Sequence, residues 1–470
     1  MSDTFLLRNE TAETLYNEYA RNMPVFDYHC HLSVDEIVQN GNFENITKAW
    51  LGRDHYKWRA MRANGIDERF ITGDAPDREK FRAWARTLPH AVRNPLFHWT
   101  YLELKTYFGI SDVLLTPATA DALYERCSEL LHTDAFRVRE LLKRSNVRVL
   151  CTAEDPAETL DQYRTLQAEK DYPVRVVPSF RPDSAFLIDR PDQFNKWVHR
   201  LEAASDTEIS TLEALLSSLL ARHTAFHEAG CRSSDHGIEF PYACAFTEGE
   251  AKKIFDAARG GKAVSRSQAL LYKSYLLRMC AEMDVYRGWV MQMHFGALRN
   301  NNTRMYRSLG PDSGFDSMGD FSIAQSLIAY LDGLDEKRML PKTVLFNINP
   351  GDNELISSVM GCFQEGPVAG KVQLGPPWWF NDTKEGIVRQ LNTISDQGLF
   401  GHFIGMTTDS RNFFSFSRHD YFRRILCTVI GEDVERGELP DDASILRELV
   451  ENICYYNARQ YFGIEAGFSL

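Results

Sequence analysis

The sequence predicts an α/β fold, a (β/α)8 TIM-type barrel carrying a long, mainly helical insertion after strand 1. Three observations carry this reading. Eight short apolar runs recur along the 470 residues, and runs without polar alternation are what parallel strands covered on both faces require. Segments of helical period lie between several of them, and strand–helix alternation is the signature of βα units. No repeat of roughly 20–50 residues, low-complexity tract or separating linker divides the chain, so residues 1–470 read as one domain. An open doubly wound sheet is the competing architecture, but its Gly-rich nucleotide turn is missing. Arg259-Gly260-Gly261-Lys262 lacks phosphate-loop spacing and lies between helical patterns, so it reads as an interhelix loop.

The first run is Pro24 to His29. More than a hundred residues rich in Trp, Arg, Phe and Asp follow with helix-like periodicity, which predicts a helical insertion or lid over residues 36–144 on the face where barrel enzymes keep their chemistry. The second run is Val147 to Thr152. After it, Asp155-Pro156-Ala157-Glu158 predicts a helix start, with Asp155 as cap and Pro156 at the first helical position. Val174 to Pro178 is the third run, and Leu201 to Ala229 reads as a helix of the outer ring. The remaining runs are Gly230 to Ser234, Gly288 to His294, Thr343 to Asn347, Lys371 to Leu374 and Phe403 to Thr408.

Composition narrows the function classes. Lys plus Arg total 53 against 65 Asp plus Glu, a formal net charge of −12, and such a surface repels nucleic-acid phosphates and anionic lipid. The expectation is therefore no nucleic-acid and no membrane partner. The stretch Phe5 to Leu7, flanked by Asp3, Arg8 and Glu10, lacks the apolar centre of a signal peptide. Nine scattered cysteines without a C-x-x-C pair fit buried reduced thiols, and a cytoplasmic location is expected.

Phe26-Asp27-Tyr28-His29-Cys30-His31 is the strongest local signal. Residues i and i+2 of a strand point the same way, so His29 and His31 present two imidazoles to one side, as a metal ion needs. Two hydrogen-bonded histidines near a strand end satisfy the same spacing. Cys30, between them, points away and reads as packing. A third ligand is offered by the last run, which ends in Thr408-Asp409-Ser410-Arg411 and closes against strand one. The alternative role for Asp409 is a helix N-cap.

The H-x-H of strand one with an aspartate ending strand eight resembles the amidohydrolase superfamily. A wider set of motifs is similar to the uronate (glucuronate) isomerase family: Phe26 to Leu32, Asp54-His55-Tyr56-Lys57-Trp58-Arg59-Ala60-Met61-Arg62, Pro178-Ser179-Phe180-Arg181-Pro182-Asp183, His294 to Asn302, Pro377-Trp378-Trp379-Phe380-Asn381-Asp382 and Thr408 to Arg411, with Tyr421 to Cys427 continuing the likeness. Hydrolases of the superfamily often add a lysine on strand four and histidines on strands five and six. Here Ser233-Ser234-Asp235-His236 and Phe346-Asn347-Ile348-Asn349 stand instead, which removes the second-metal set. The resemblance implies one divalent ion, zinc by ligand type, with manganese or iron also accepted by imidazole and carboxylate.

It further implies interconversion of D-glucuronate with D-fructuronate and of D-galacturonate with D-tagaturonate, a C2/C1 proton shift through an enediol that needs a base and oxyanion stabilisation. Asp409 is the candidate base, although a metal and Arg411 would depress its pKa. The family places His55 and Tyr56 at the substrate, and proton transfer at the sugar oxygens falls to them, with Tyr56 the acid; Trp58 reads as packing inward. The substrate carboxylate calls for guanidinium groups, and Arg181, Arg299 and Arg411 each follow a predicted strand, where surface pairing is the alternative. His294 at the end of strand five is a candidate donor to a substrate hydroxyl or carboxylate, or a structural histidine. Trp378 is favoured as a sugar-facing wall, with Trp379 in the core. A metal-dependent hydrolase of the same superfamily is the rival activity, a sugar-acid binding protein the non-enzymatic one, and self-association is expected of so large a barrel.

Overall fold

The computed structural model describes residues 1–466. A seven-stranded parallel sheet curls around the core: β1 (Val25–Cys30), β2 (Val147–Glu154), β3 (Arg175–Phe180), β4 (Ser233–Gly237), β5 (Val290–Phe295), β8 (Lys342–Asn347) and β9 (Val372–Leu374), hydrogen-bonded in that order. The two strands omitted from it, β6 (Ala297–Leu298) and β7 (Ser317–Met318), pair antiparallel as a hairpin in the connection after β5. All strands of the large sheet are parallel to their neighbours and joined through helices, which is the (β/α)8 class.

Seven of the eight predicted runs are strands; the fourth begins three residues later than predicted, at Ser233. The eighth run, Phe403 to Thr408, is not a regular strand. It lies beside β1 and closes the ring through Asp409 N–H donating to the His29 carbonyl (3.2 Å) and His31 N–H donating to the Ser410 carbonyl (2.9 Å). Its ladder is interrupted because Gly405 (φ 74°) and Asp409 (φ 47°) are left-handed. At Gly405 a Cβ would stand 2.0 Å from the Ile453 carbonyl oxygen, so a side chain is excluded.

Two further expectations need correction. No helix starts at Asp155: its carboxylate accepts from Ala157 N–H (2.9 Å) and Trp197 Nε1–H (2.8 Å), closing a turn, and the helix runs from Asp161 to Ala168. The span Leu201 to Ala229 is not one helix but the end of Pro191–Ser205 and the whole of Leu212–Glu228, separated at Asp206, which is left-handed (φ 49°). The Arg259–Lys262 segment does lie between two helices, Glu248–Arg259 and Arg266–Arg287.

Between β1 and β2 run seven α-helices, from Val34 to Arg144. Their apolar residues, with the fully buried Trp50 and Trp84 among them, are continuous with the core between the strands and the outer helices. Arg59 donates to the Gly314 (3.1 Å) and Asp316 (2.7 Å) carbonyls and Arg62 to that of Ser313 (2.6 Å), fastening these helices to the connection after β5.

The barrel interior grades from apolar to polar. At the N-terminal ends of the strands Phe26, Val149, Val177, Val290 and Val344 pack with Tyr455, Tyr461 and Phe462 of the C-terminal helices. Phe462 stacks on Tyr28 at 4.8 Å, and Tyr461 donates to the Lys371 carbonyl (2.7 Å), so the chain's last turns plug that end. Midway, Ser179 and Ser233 meet at 3.1 Å, and Gln292 donates to Ser233 and to the Tyr28 carbonyl (3.3 Å each). Above them the C-terminal ends of the strands carry charge. The nine cysteines are free thiols, seven of them buried. Among the described residues no helix is long and apolar enough to cross a membrane.

Candidate active site

The local geometry of β1 builds the histidine pair. From Asp27 to Cys30 the strand advances three residues while β2 advances two, Leu150 to Thr152, which is a bulge. Tyr28 packs into the barrel interior, and His29, which follows it, faces inward as well, 4.4 Å from the His294 ring and 6.1 Å from Phe346. Cys30 packs outward against the helices, and burial pushes its thiol pKa far up, so it is inert.

His29 Nε2 and His31 Nε2 converge on Asp409 Oδ1, at 3.1 and 3.3 Å. The other Asp409 oxygen accepts from Trp378 Nε1–H at 2.7 Å. Burial would raise the Asp409 pKa, but hydrogen bonds and charge from the two histidines prevail and hold it well below the usual carboxylate range. The bend that aims Asp409 is held from behind: Thr408 donates its N–H (3.2 Å) and Oγ1 (2.6 Å) to the fully buried Asp27, which Thr407 Oγ1 also reaches. Two imidazole nitrogens and a carboxylate oxygen, all within 4.8 Å of one another, are a donor set suited to a divalent cation.

A second cluster, His29, Asp235 and His294, meets the same distance criterion. Its carboxylate is already occupied. Asp235, fully buried on β4, accepts from His294 Nδ1–H at 2.7 Å and from Arg181 Nη1 at 2.8 Å, and stands 3.6 Å from His29 Nδ1. A guanidinium at that distance repels a second cation; Asp235 orients His294 through its hydrogen bond and faces His29 through charge alone. Burial opposes its ionisation, yet Arg181, His29 and His294 keep Asp235 well below its ordinary pKa. Burial lowers His294 to about 4 against the pull of Asp235, so the ring is neutral and its unpartnered Nε2 is an acceptor toward the cleft rather than the donor expected from sequence.

These groups line a cleft of about 510 Å³ that also contains His55, Tyr56, Arg181, Arg299, Trp378, Trp379 and Arg411. Every candidate residue read from the sequence therefore reaches one cavity. Asp54 caps the helix His55–Ala63, accepting from Tyr56 N–H (3.0 Å) and Lys57 N–H (3.1 Å), and so places His55 and Tyr56 in its first turn. The two rings stack at 5.0 Å, and Trp379 stands edge-on to His55 at 5.6 Å. Trp58, half-buried, donates to the Leu51 carbonyl (2.8 Å) and stays out of the cleft lining. Arg299 lies over the Trp379 ring at 4.5 Å and pairs with Asp316 (3.1 Å); Arg411 pairs with Asp312 (3.2 Å).

Both tryptophans are buried in the apolar cluster of the barrel and both line the cleft: Trp378 donates to Asp409, and Trp379, packed as expected, also lies beneath Arg299. Sequence reasoning did not single out Asp235, Asp382 or Arg418. Asp235 stood in the strand-four motif two residues after Ser233, hence on the same inward face, and Asp382 ended the tryptophan motif. Arg418 gives no signal, being one cation near the start of the helix Ser417–Glu435.

Comparison with known proteins gives the family of the chain. The profile of the family described as glucuronate isomerase matches residues 1–462. A uronate isomerase of Bacillus velezensis is 50% identical, covering 98% of this chain and 99% of its own, and that of Caldanaerobacter subterraneus subsp. tengcongensis is 48% identical with 99% of both chains covered. The crystal structure of uronate isomerase from Thermotoga maritima superposes with a TM-score of 0.92 at 32% identity, covering 98% of this chain and 99% of that one. With matches of this extent and a fold shared end to end, the chain belongs to the glucuronate isomerase family.

Proposed function

We propose that this protein is an aldose–ketose isomerase that interconverts D-glucuronate with D-fructuronate and D-galacturonate with D-tagaturonate, at a site holding one divalent metal. The observation that carries this reading is the meeting, in one cleft, of the His29, His31 and Asp409 donor set with the guanidinium groups of Arg181, Arg299 and Arg411. The donors fit a cation: two imidazoles and one ionised carboxylate converge, and the charge of Asp235 faces the other ring nitrogen of His29 at 3.6 Å. Zinc suits the set by ligand type, with manganese or iron accepted. When bound, the ion supplies Lewis-acid polarisation of a sugar oxygen.

The remaining work falls to side chains. Asp409, kept ionised by His29 and His31 and oriented by Trp378, takes the proton from C2 and returns it to C1. Arg299 and Arg411 at the rim, and Arg181 deeper, hold the substrate carboxylate with paired donors. His55 and Tyr56 move protons at the sugar oxygens, and the tryptophans shield the enediol from water. We also infer a homo-oligomer in the cytoplasm that binds neither nucleic acid nor membrane, on the strength of the acidic net charge of −12 and the size of the barrel.

Incubation of the metal-loaded protein with D-glucuronate in deuterated water, followed by NMR of C1 and C2, tests the assignment. Formation of the ketouronate is expected, with deuterium entering C1 or C2 to the extent that Asp409 exchanges its proton with solvent. No ketouronate and no exchange would sink it.

A further inference from the structure

Behind Tyr56, beyond the cation site, stands a further buried acid. Asp382, which ends the tryptophan motif but was given no role there, accepts the Tyr56 phenol O–H at 2.9 Å on Oδ2. Arg418 Nη1 stands 3.5 Å from that oxygen and donates to the Thr408 carbonyl at 3.2 Å, the residue before Asp409. The guanidinium also covers the rings of Trp99 (4.1 Å) and Tyr56 (5.2 Å). Asp382 and Arg418 are buried, while Tyr56 and Arg418 line the cleft. One cation thus ties the backbone behind Asp409 to the acid behind Tyr56.

The direction of the phenol proton decides what Tyr56 offers a substrate. With its O–H given to Asp382, the Tyr56 oxygen has only lone pairs left for other partners. Burial first, and the charge of Asp382 second, raise the phenol pKa well above its ordinary value, so Tyr56 cannot serve as a free phenolate. It can accept a proton only by giving up its own.

We propose that Asp382 is the positioning residue behind Tyr56 and the acceptor of its proton, with Arg418 holding the pair in register with Asp409. In the forward step the O–H bond of a substrate hydroxyl breaks and its proton goes to Tyr56 Oη, as the Tyr56 O–H proton goes to Asp382 Oδ2. The products are a sugar alkoxide and a neutral Asp382 carboxyl. The reverse of the same two transfers delivers a proton to the carbonyl oxygen. Burial raises the Asp382 pKa to about 6 against the opposing effects of Arg418 and the Tyr56 hydrogen bond, with the Asp409 charge adding to the rise, so the acid is matched to neutral pH. This inference rests on the isomerase reading.

The test is a double-mutant cycle on D-glucuronate turnover with metal-loaded wild type, Asp382→Asn, Tyr56→Phe and the double variant. Asparagine keeps an acceptor oxygen for the phenol but cannot take its proton. Asp382→Asn should lower kcat by roughly 100-fold or more with KM changed less than about threefold. In the Tyr56→Phe background the same change should cost less than about threefold, because its route is already cut. An equal loss in both backgrounds, or full kcat in Asp382→Asn, overturns the proposal. If Asp382→Asn leaves Arg418 uncompensated and fails to fold, Asp382→Asn/Arg418→Gln is read in both backgrounds by the same criteria. An inactive wild type would refute the isomerase reading, whereas an active wild type with a fully active Asp382→Asn refutes the Asp382 role alone.

Discussion

Replacing Glu103 by Gln should stabilise the protein above neutral pH and leave it unchanged in acid. Glu103 lies on the helix Pro95–Phe108, 2% exposed, and its Oε2 has no hydrogen-bond partner among the described residues. Lys57, the cation whose charge acts on it most strongly, is already paired with Asp54 at 2.6 Å. Burial therefore raises the Glu103 pKa from 4.5 to about 7, with Lys57 and Arg418 lowering it only in part and Asp54 adding to the rise. The folded state binds this proton more tightly than the unfolded chain. Stability from this group is complete below pH 4.5 and is lost as pH rises through about 7. At about 1.4 kcal/mol per pH unit, ionising Glu103 in the folded state costs about 3 kcal/mol by pH 8. An unfolding entropy of about 2.1 cal/mol/K per residue, over a chain of this length, is about 1 kcal/mol/K, which converts the cost to a Tm difference of about 3 °C. Thermal denaturation of wild type and Glu103→Gln at intervals from about pH 4.5 to about pH 8 reads it directly. The two curves should coincide at the acid end and separate in favour of the variant as pH rises. A Tm difference independent of pH, or a variant less stable at pH 8, would show that Glu103 is ionised and paired, and the burial argument would fail.

Other outcomes follow from the same geometry. His29→Ala and His31→Ala should each lose bound divalent metal by elemental analysis, since each removes one of three converging donors; full stoichiometry in both would refute the ligand assignment. Arg299→Ala should raise KM by roughly tenfold with kcat nearly unchanged, the pattern of lost ground-state binding; a collapse of kcat at constant KM would contradict a carboxylate-holding role. Gly405→Ala should destabilise the fold by about 2 kcal/mol or more in chemical denaturation, because alanine at φ 74° is strained and its Cβ would meet the Ile453 carbonyl at 2.0 Å. Wild-type stability in that variant would mean that the closing segment re-forms as a strand.

Some of this organisation was legible from local pattern alone. Most of the strands carry an apolar stretch that local pattern reveals, so seven runs emerged without any knowledge of their neighbours, although β4 itself reads Ser-Ser-Asp-His-Gly and was found through the residues just before it. The eighth emerged as an apolar run, but its left-handed Gly405 and Asp409 obey contacts with Tyr28, Ile453 and His29 that lie far off in the chain. At Asp155 the local signal was half right: its carboxylate accepts from Ala157 N–H as a cap would, but it closes a turn that Trp197, distant in the chain, also holds, and the helix starts only at Asp161. Arg418 looked like any helix cation, and only its burial between Asp382 and two aromatic rings gives it meaning.

By itself the sequence determined the barrel class, the pair of imidazoles two residues apart and the carboxylate that ends the last run, because period, spacing and residue chemistry are local properties. Tertiary structure alone decided which nitrogen faces which oxygen. The bulge that turns His29 inward beside Tyr28, the Arg181 guanidinium that occupies Asp235, and the Asp382 carboxylate that receives the Tyr56 proton each depend on groups from separate elements brought within hydrogen-bonding distance. Those distances are set by how strands and helices pack, and no run of neighbouring residues encodes them.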